Sequence, residues 1–130
     1  MATILIIEDN EMNLTLVQLL LQRSGYAIHS ARNAEAGLMM AAESQPDLIL
    51  MDIQLPGMDG LEATRRLKRD TATRCIPVIA LTALAMQGDE ARIRAAGCDA
   101  YIAKPIDYRH FLQMVSTYLE PTAAHVLERE

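Results

Sequence analysis

Acidic, hydroxyl and basic side chains follow four short apolar runs in this 130-residue sequence, and they are residue types that handle metal ions and phosphate. These residues are Glu8, Asp9, Asp52, Thr82 and Lys104. Two unit charges ~4 Å apart interact by about 4 kcal/mol at an effective dielectric of 20, so three clustered carboxylates need a positive partner beyond one lysine. Oxygen ligands without a nearby His or Cys favour Mg²⁺. A carboxylate surrounded by Mg²⁺, an ammonium and a hydroxyl is equipped for phosphoryl transfer.

The elements that must position these side chains are short strands alternating with helices. The predicted strands cover about residues 4–7, 26–31, 48–51, 78–81 and 100–103. Because these runs are mostly apolar on both faces and are separated by single helices, they predict an α/β fold with an open, doubly wound, five-stranded parallel sheet and five helices. Ligands of such sheets bind beyond the carboxyl ends of the strands. The five polar side chains are therefore expected to meet at that edge.

The helical segments have candidate start signals and apolar faces. Asn10 is the predicted N-cap of the first helix, and Gly25 is its predicted left-handed end. The predicted apolar faces are, in chain order, Met12, Leu16, Leu19 and Leu20; Ala34, Leu38 and Ala41; Leu61, Thr64 and Leu67; Met86, Ile93 and Ala96; and Tyr108, Leu112, Val115 and Leu119. The fourth face is the thinnest, so that helix is expected to be the least firmly anchored.

Composition and charge exclude several classes of protein. The net charge of −5 argues against direct nucleic-acid binding, which needs clustered positive charge. No apolar run is long enough to span a membrane, and the early acidic residues do not fit a secretory signal. Cys75 and Cys98 have no CxxC partner and suit a reducing compartment. These features predict one cytoplasmic domain.

Each polar residue has a simpler explanation when it is taken singly. An aspartate at a strand end is most often a helix cap or a solvated charge, and Glu8 and Asp9 could favour the start of the helix that follows. It is far less probable that polar residues stand at four strand ends of the same edge for four unrelated reasons. A shared site is therefore the favoured interpretation.

Four segments carry a resemblance to a known family. They are Ile7-Glu8-Asp9-Asn10, the stretch LMDIQLPGMDG at 50–60, Ala80-Leu81-Thr82-Ala83 and Ala103-Lys104-Pro105. Together they resemble the receiver domain of two-component response regulators over roughly residues 2–119. The resemblance implies the flavodoxin-like receiver fold with strand order 2-1-3-4-5. It also implies a receiver domain at 1–119 followed by a C-terminal tail at 120–130.

The resemblance implies roles for the charged residues. Asp52 resembles the aspartate that accepts a phosphoryl group from a kinase histidine. Glu8, Asp9, Asp52 and the backbone carbonyl of Gln54 resemble the ligands of Mg²⁺. Lys104 resembles the ammonium that pairs with the phosphoryl group. The acidic pair here is Glu-Asp rather than Asp-Asp, a variation that many receivers carry.

The resemblance also implies which residues shape the site and move. Thr82 resembles the hydroxyl that bonds a phosphoryl oxygen, and Ala83 keeps the route to the phosphoryl group open. Pro105 resembles a proline that is usually preceded by a cis bond, which would aim the lysine before it at the site. Tyr101 resembles the aromatic residue that turns inward on activation, so Thr82 and Tyr101 form the implied switch.

The implied function is a phosphorylation-activated signalling switch and not an enzyme, although its phosphorylation and dephosphorylation are self-catalysed. The donor would be a histidine kinase or a histidine phosphotransfer protein. The signal would leave through protein contacts on the face formed by helix four, strand five and helix five, including Leu84–Met86 and Tyr101. No direct nucleic-acid or membrane partner is expected.

The same residues distinguish this function from several alternatives. The patterns at 8–13 and 82–86 are similar to single-domain regulators and to receivers of hybrid histidine kinases; the initial Met and the lack of an output domain after Leu119 favour the former. A receiver from a hybrid kinase, or a phosphorylation-independent interaction module, remains the alternative. The latter usually loses Asp52, Asp9 or Lys104, and none is lost here. A flavodoxin would need a Ser/Thr/Gly-rich phosphate loop after the first strand, and an aspartyl phosphatase usually has a second Asp where Gln54 stands.

Overall fold

The structure is a computed structural model that describes residues 2–83 and 89–119. Five parallel strands form one sheet in the order β2-β1-β3-β4-β5, which confirms the predicted topology. The strands are β1 (Thr3–Ile7), β2 (Ala27–Ala31), β3 (Leu48–Asp52), β4 (Val78–Thr82) and β5 (Ala100–Ala103). The helices are α1 (Glu11–Arg23), α2 (Ala34–Ser44), α3 (Gly60–Arg69), α4 (Asp89–Ala96) and α5 (Tyr108–Leu119).

The helices cover both faces of the sheet, so the core has two halves. Side chains alternate across each strand. In β1, Ile4 and Ile6 therefore pack towards α1 and α5, whereas Leu5 and Ile7 pack towards α2, α3 and α4. All four are fully buried. This double burial explains why the central strands are continuous apolar runs rather than alternating ones.

The starts and ends of the helices follow local sequence signals. The side chains of Asn10, Asn33 and Asp59 each accept a hydrogen bond, of 2.8 to 2.9 Å, from the backbone N–H three residues later. Each therefore caps a helix in the expected way. Gly25 follows α1 with φ +92° and Gly97 follows α4 with φ +107°. Both the predicted cap at Asn10 and the predicted left-handed glycine at Gly25 are confirmed.

The predicted apolar face of α1 is wrong for three of its four residues, whereas the fourth, Leu20, is partly buried and packs against the core. Met12, Leu16 and Leu19 are 83%, 49% and 54% exposed. The buried stripe consists of Leu14, Val17 and Leu21. Both sets have helical spacing and lie on opposite sides of the helix, so periodicity alone cannot decide which one packs on the sheet. The outer stripe leaves a large apolar surface uncovered.

The other helix faces agree with the sequence to different degrees. The predicted face of α3 is buried, as are Ile93 and Ala96 of α4. Met86 lies outside the described residues. In α5, Phe111 and Val115 are buried, and the predicted Leu112 and Leu119 are partly buried against the core. The predicted Tyr108, the first residue of this helix, is 52% exposed. In α2, Gly37 packs against Ile7 and the predicted Leu38 is only half-buried. Among residues 2–83 and 89–119, no helix is long and apolar enough to cross a membrane.

Candidate functional site

The carboxyl edge of the sheet brings together charged side chains from three separate strands. Glu8 directly follows β1, Asp52 ends the neighbouring β3, and Lys104 follows β5. The Lys104 ammonium lies 3.4 Å from both carboxylate oxygens of Glu8 and 3.4 Å from Oδ2 of Asp52. Glu8 and Asp52 are 1% and 3% exposed. One partly buried lysine thus faces two buried carboxylates.

Glu8 has the most perturbed environment of this group. Its pKa is raised from the ordinary 4.5 to about 7, first by burial and then by the hydrogen bond and the charge of the adjacent Asp52 carboxyl. A hydrogen bond from the Asn13 amide and the charge of Lys104 act in the opposite direction. The pKa is raised mainly because burial disfavours the charged carboxylate, and the contacts with Asn13 and Lys104 do not offset this effect.

The Asp52 side chain is oriented by the loop that follows it. Its Oδ1 accepts a hydrogen bond of 2.9 Å from the backbone N–H of Gln54. The start of α3 packs directly on this segment: the Gly60 N–H donates to Ile53 O at 3.1 Å. A Cβ on Gly60 would lie 2.6 Å from Ile53 Cα and still closer to the Asp52 carbonyl oxygen. Only glycine permits this approach without moving the backbone.

Three carboxylates are placed to hold a cation. One oxygen from each of Glu8, Asp9 and Asp52 lies within 4.8 Å of the others. Asp9 is exposed at the rim, and its backbone carbonyl accepts a 3.4 Å contact from Arg32 Nη2. The donor set consists of oxygen only, it is rich in negative charge, and one member is open to solvent. It therefore fits a hard divalent cation that keeps part of its water shell, as Mg²⁺ does.

Thr82 and the loop after β5 complete the edge. Thr82 ends β4 and is fully buried, and the Lys104 N–H donates to its carbonyl at 2.7 Å. The Lys104–Pro105 peptide bond is cis. Ala83, the next residue of the β4 loop, is exposed. Thr82, Ala83, Lys104 and Pro105 thus lie at or just beyond the carboxyl ends of β4 and β5, at the edge where the carboxylates meet.

The predicted output face contains an open groove. Tyr101 lies on β5 opposite Ala80 of β4 and is half-buried. A groove of about 500 Å³ runs between α4, β5 and α5, with Arg94, Tyr101 and His110 among its lining residues. The predicted contact residues Leu84–Met86 lie outside the described residues.

Two residues that contact the acidic cluster had no predicted role. The Asn13 amide Nδ2 donates to Glu8 Oε1 at 3.1 Å, and Arg32 reaches the Asp9 carbonyl. The contact of Asn13 could have been predicted, because this residue stands about one helical turn after the acidic pair, on the helix that begins there. The contact of Arg32 could not, because this residue belongs to the loop after β2, and only the strand order brings that loop beside Asp9.

Comparison with known proteins gives a consistent assignment. Residues 4–116 match the family described as the response regulator receiver domain. The polar-differentiation response regulator DivK of Brucella anthropi is 52% identical over 117 residues, which are 90% of this chain and 95% of that protein. The receiver domain of the sensor histidine kinase PA1611 from Pseudomonas aeruginosa is 34% identical with a TM-score of 0.84, over 90% of this chain and 96% of that one.

That Pseudomonas structure contains a magnesium ion coordinated in its active site cleft. A response regulator structure from Chloroflexus aurantiacus is 28% identical with a TM-score of 0.87, over 91% of this chain and 97% of that one. The family is one of signalling domains rather than enzymes. The fold, the acidic edge and the sequence matches lead to one conclusion: the chain belongs to the response regulator receiver domain family.

Proposed function

We propose that Asp52 accepts a phosphoryl group from a histidine kinase or histidine phosphotransfer protein, with Mg²⁺ held by Glu8, Asp9, Asp52 and the Gln54 carbonyl. The observation that carries this proposal is the convergence of two buried carboxylates, an exposed third one and one lysine at a single edge of the sheet. The receiver family and the magnesium ion in the Pseudomonas relative support it. Phosphorylation then alters the contacts that the domain makes with other proteins.

The chemistry follows from the positions of the side chains. A carboxylate oxygen of Asp52 attacks the phosphorus, and the bond from phosphorus to the donor nitrogen breaks, leaving its electron pair on the donor. Mg²⁺, when bound, supplies positive charge to the phosphoryl oxygens. Lys104 contacts Asp52 Oδ2 already, so its ammonium is preplaced for the new negative charge. The hydroxyl of Thr82 is the proposed donor to another phosphoryl oxygen.

Acetyl phosphate tests the phosphoacceptor without a partner protein. With Mg²⁺ present, the intact mass of the chain should increase by one phosphoryl group. Asp52→Asn is the matched control, since it keeps the size of the side chain and removes the nucleophilic carboxylate. Equal labelling of the wild type and Asp52→Asn would refute the assignment.

The metal ligands are tested by binding of Mg²⁺ alone. Affinity should be weak, because Mg²⁺ gives up its water reluctantly and few protein ligands are offered without a phosphoryl oxygen. Asp9→Ala should weaken it much further, whereas Asp47→Ala provides an exposed carboxylate remote from the acidic cluster. Equal affinity of the wild type and Asp9→Ala would remove Asp9 from the site.

The uncovered face of α1 is the proposed contact for the phosphodonor protein. Asp52 is buried, so a donor histidine reaches it only if the partner covers the rim of the site. The first turn of α1 lies at this rim. The exposed side chains of Met12, Leu16 and Leu19 form an apolar stripe that runs along α1 from the rim. Apolar patches of this kind mark protein contacts. The occupant proposed here is the protein that carries the donor histidine.

The groove between α4, β5 and α5 is the proposed output surface. Two of its charged residues, Glu90 and Arg94, form an ion pair of 3.4 Å on the exposed side of α4. Of the described residues of α4, only Ile93 and Ala96 are buried. A helix held by so few core contacts needs little free energy to shift. Movement of Thr82 towards a phosphoryl oxygen would vacate space for Tyr101, and a downstream protein would detect the altered face.

Amide hydrogen exchange tests the switch. Protection of residues 82–96 and of the segment around Tyr101 should differ between the free protein and the protein loaded with Mg²⁺ and beryllofluoride. Asp52→Asn treated in the same way is the control. Identical protection in the loaded and free wild type would refute the switch.

The remaining parts of the proposal concern extent and location. The receiver covers residues 1–119 and the tail covers 120–130, in line with the family match that ends at residue 116. A cytoplasmic location agrees with the thiols of Cys75 and Cys98, which are both free.

A further inference from the structure

The hydrogen bond between Asn13 and Glu8 has no part in the chemistry described so far. Asn13 Nδ2 donates to Glu8 Oε1 at 3.1 Å, and the Glu8 carboxylate is almost fully buried. The backbone of Asn13 lies in the first turn of α1, which the Leu14 N–H closes by donating to the backbone carbonyl of Asn10 at 2.9 Å. The amide therefore projects from a rigid first turn of α1 onto the acidic cluster.

The glutamate at position 8 creates a need for such a contact. Its side chain has one more rotatable bond than an aspartate, so more conformational freedom is lost when its oxygens are held towards a cation. Lys104 also contacts both Glu8 oxygens, but it contacts Asp52 as well. A phosphoryl group on Asp52 would compete for that ammonium, whereas the Asn13 amide has no other acceptor among the contacts described and would stay with Glu8.

The neutral charge of Asn13 is also suited to this position. An amide donor orients a carboxylate without cancelling its charge, so the full negative charge remains for a cation. A lysine or arginine at position 13 would hold Glu8 equally well but would repel the cation. Partners that orient a ligand in this way typically change metal affinity by about ten- to a hundredfold when they are removed.

We propose that Asn13 is a positioning residue, which holds the buried Glu8 carboxylate in the orientation that binds the cation and so lets a glutamate serve at this place. The proposal rests on the proposed function, since it assumes that Glu8 is a Mg²⁺ ligand. It assigns to α1 a second task besides covering the sheet: its first turn sets the geometry of the acidic cluster.

The test is the dissociation constant of Mg²⁺, measured by calorimetry without any phosphodonor. Asn13→Ala should weaken binding by about tenfold. Asn10→Ala is the matched control, because it removes the cap of the same helix turn and leaves the amide of Asn13 in place; its affinity should stay within about twofold of the wild type. In a Glu8→Asp background the shorter carboxylate is withdrawn from the amide, so Asn13→Ala should have no further effect.

Three results would overturn the proposal. The first is an unchanged affinity in Asn13→Ala. The second is an equal loss in Asn10→Ala, which would trace the effect to the start of the helix. The third is an undiminished loss in the Glu8→Asp background, which would show that Asn13 acts through another group. Failure of the proposed function is distinguishable from all three, because the wild type itself would then bind no Mg²⁺ and gain no phosphoryl group from acetyl phosphate.

Discussion

Replacing Glu8 with glutamine should stabilise the metal-free protein, and should do so only at higher pH. Glu8 has its pKa raised from 4.5 to about 7 by burial and by the neighbouring Asp52. The folded state therefore binds the Glu8 proton more tightly than the unfolded state does. The stability that this proton contributes is fully present below about pH 4.5 and is lost as the pH rises towards 7. Above that, the folded protein contains an ionised, buried carboxylate.

The size of the effect follows from the two pKa values. Each pKa unit corresponds to roughly 1.4 kcal/mol, so the change from 4.5 to about 7 corresponds to about 3 kcal/mol over the whole range. Most of it, about 2 to 3 kcal/mol, falls between about pH 5 and pH 8. Glutamine has nearly the same shape and no charge, so Glu8→Gln loses this dependence. It keeps an oxygen that can accept from Asn13.

Urea unfolding in EDTA measures the effect. The quantity of interest is the difference in the free energy of unfolding between Glu8→Gln and the wild type, because titrating groups that do not contact Glu8 cancel in it. We expect this difference to grow in favour of Glu8→Gln by about 2 to 3 kcal/mol from about pH 5 to pH 8. Added Mg²⁺ should stabilise the wild type and not the variant. A difference that stays constant across this pH range would refute the account of Glu8.

Three further substitutions test separate features. Gly60→Ala should lower the free energy of unfolding by about 3 kcal/mol and slow labelling by acetyl phosphate, because the new Cβ meets the backbone of the phosphoacceptor strand. Gly37→Ala should lower it less, because only side-chain atoms of Ile7 must move. Asp59→Ala should cost about 1 kcal/mol and Asp59→Asn almost nothing if the side-chain oxygen caps α3; equal losses in urea unfolding would contradict the cap. Leu16→Ser should leave stability and labelling by acetyl phosphate unchanged, but it should slow phosphotransfer from a cognate kinase at least about tenfold. An unchanged rate of phosphotransfer would exclude this face of α1 from the contact.

The fold and the meeting of the polar residues were predictable because they depend on few choices. Strands that are apolar on both faces occur almost only in covered parallel sheets, and such sheets have all their carboxyl ends at one edge. Glu8, Asp52 and Lys104 therefore had to lie near one another wherever the strand order brought their strands together. The order itself came from the family resemblance, and the sheet has that order.

The details that could not be predicted depend on choices between equivalent patterns. Leu14, Val17 and Leu21 have the same periodicity as Met12, Leu16 and Leu19, and only the packing of α1 on the sheet separates them. The contacts between individual side chains at the site could not be predicted from the sequence either. The sequence places Lys104 at the edge, but only the three-dimensional arrangement makes it contact both oxygens of Glu8 as well as Asp52.

The acidic cluster is a place where folding and function make opposite demands. Fewer carboxylates at this place would make the metal-free protein more stable. Glu8, Asp9 and Asp52 lie close together, and the ammonium of Lys104 contacts two of them, Glu8 and Asp52. Because the pKa of Glu8 is raised to about 7, this carboxyl retains its proton to a higher pH than an ordinary glutamate, and that proton offsets part of the negative charge. A divalent cation that binds Glu8 must displace that proton. Proton and cation therefore compete for the same carboxylate, and the affinity of the site for Mg²⁺ should rise with pH through the range in which Glu8 ionises.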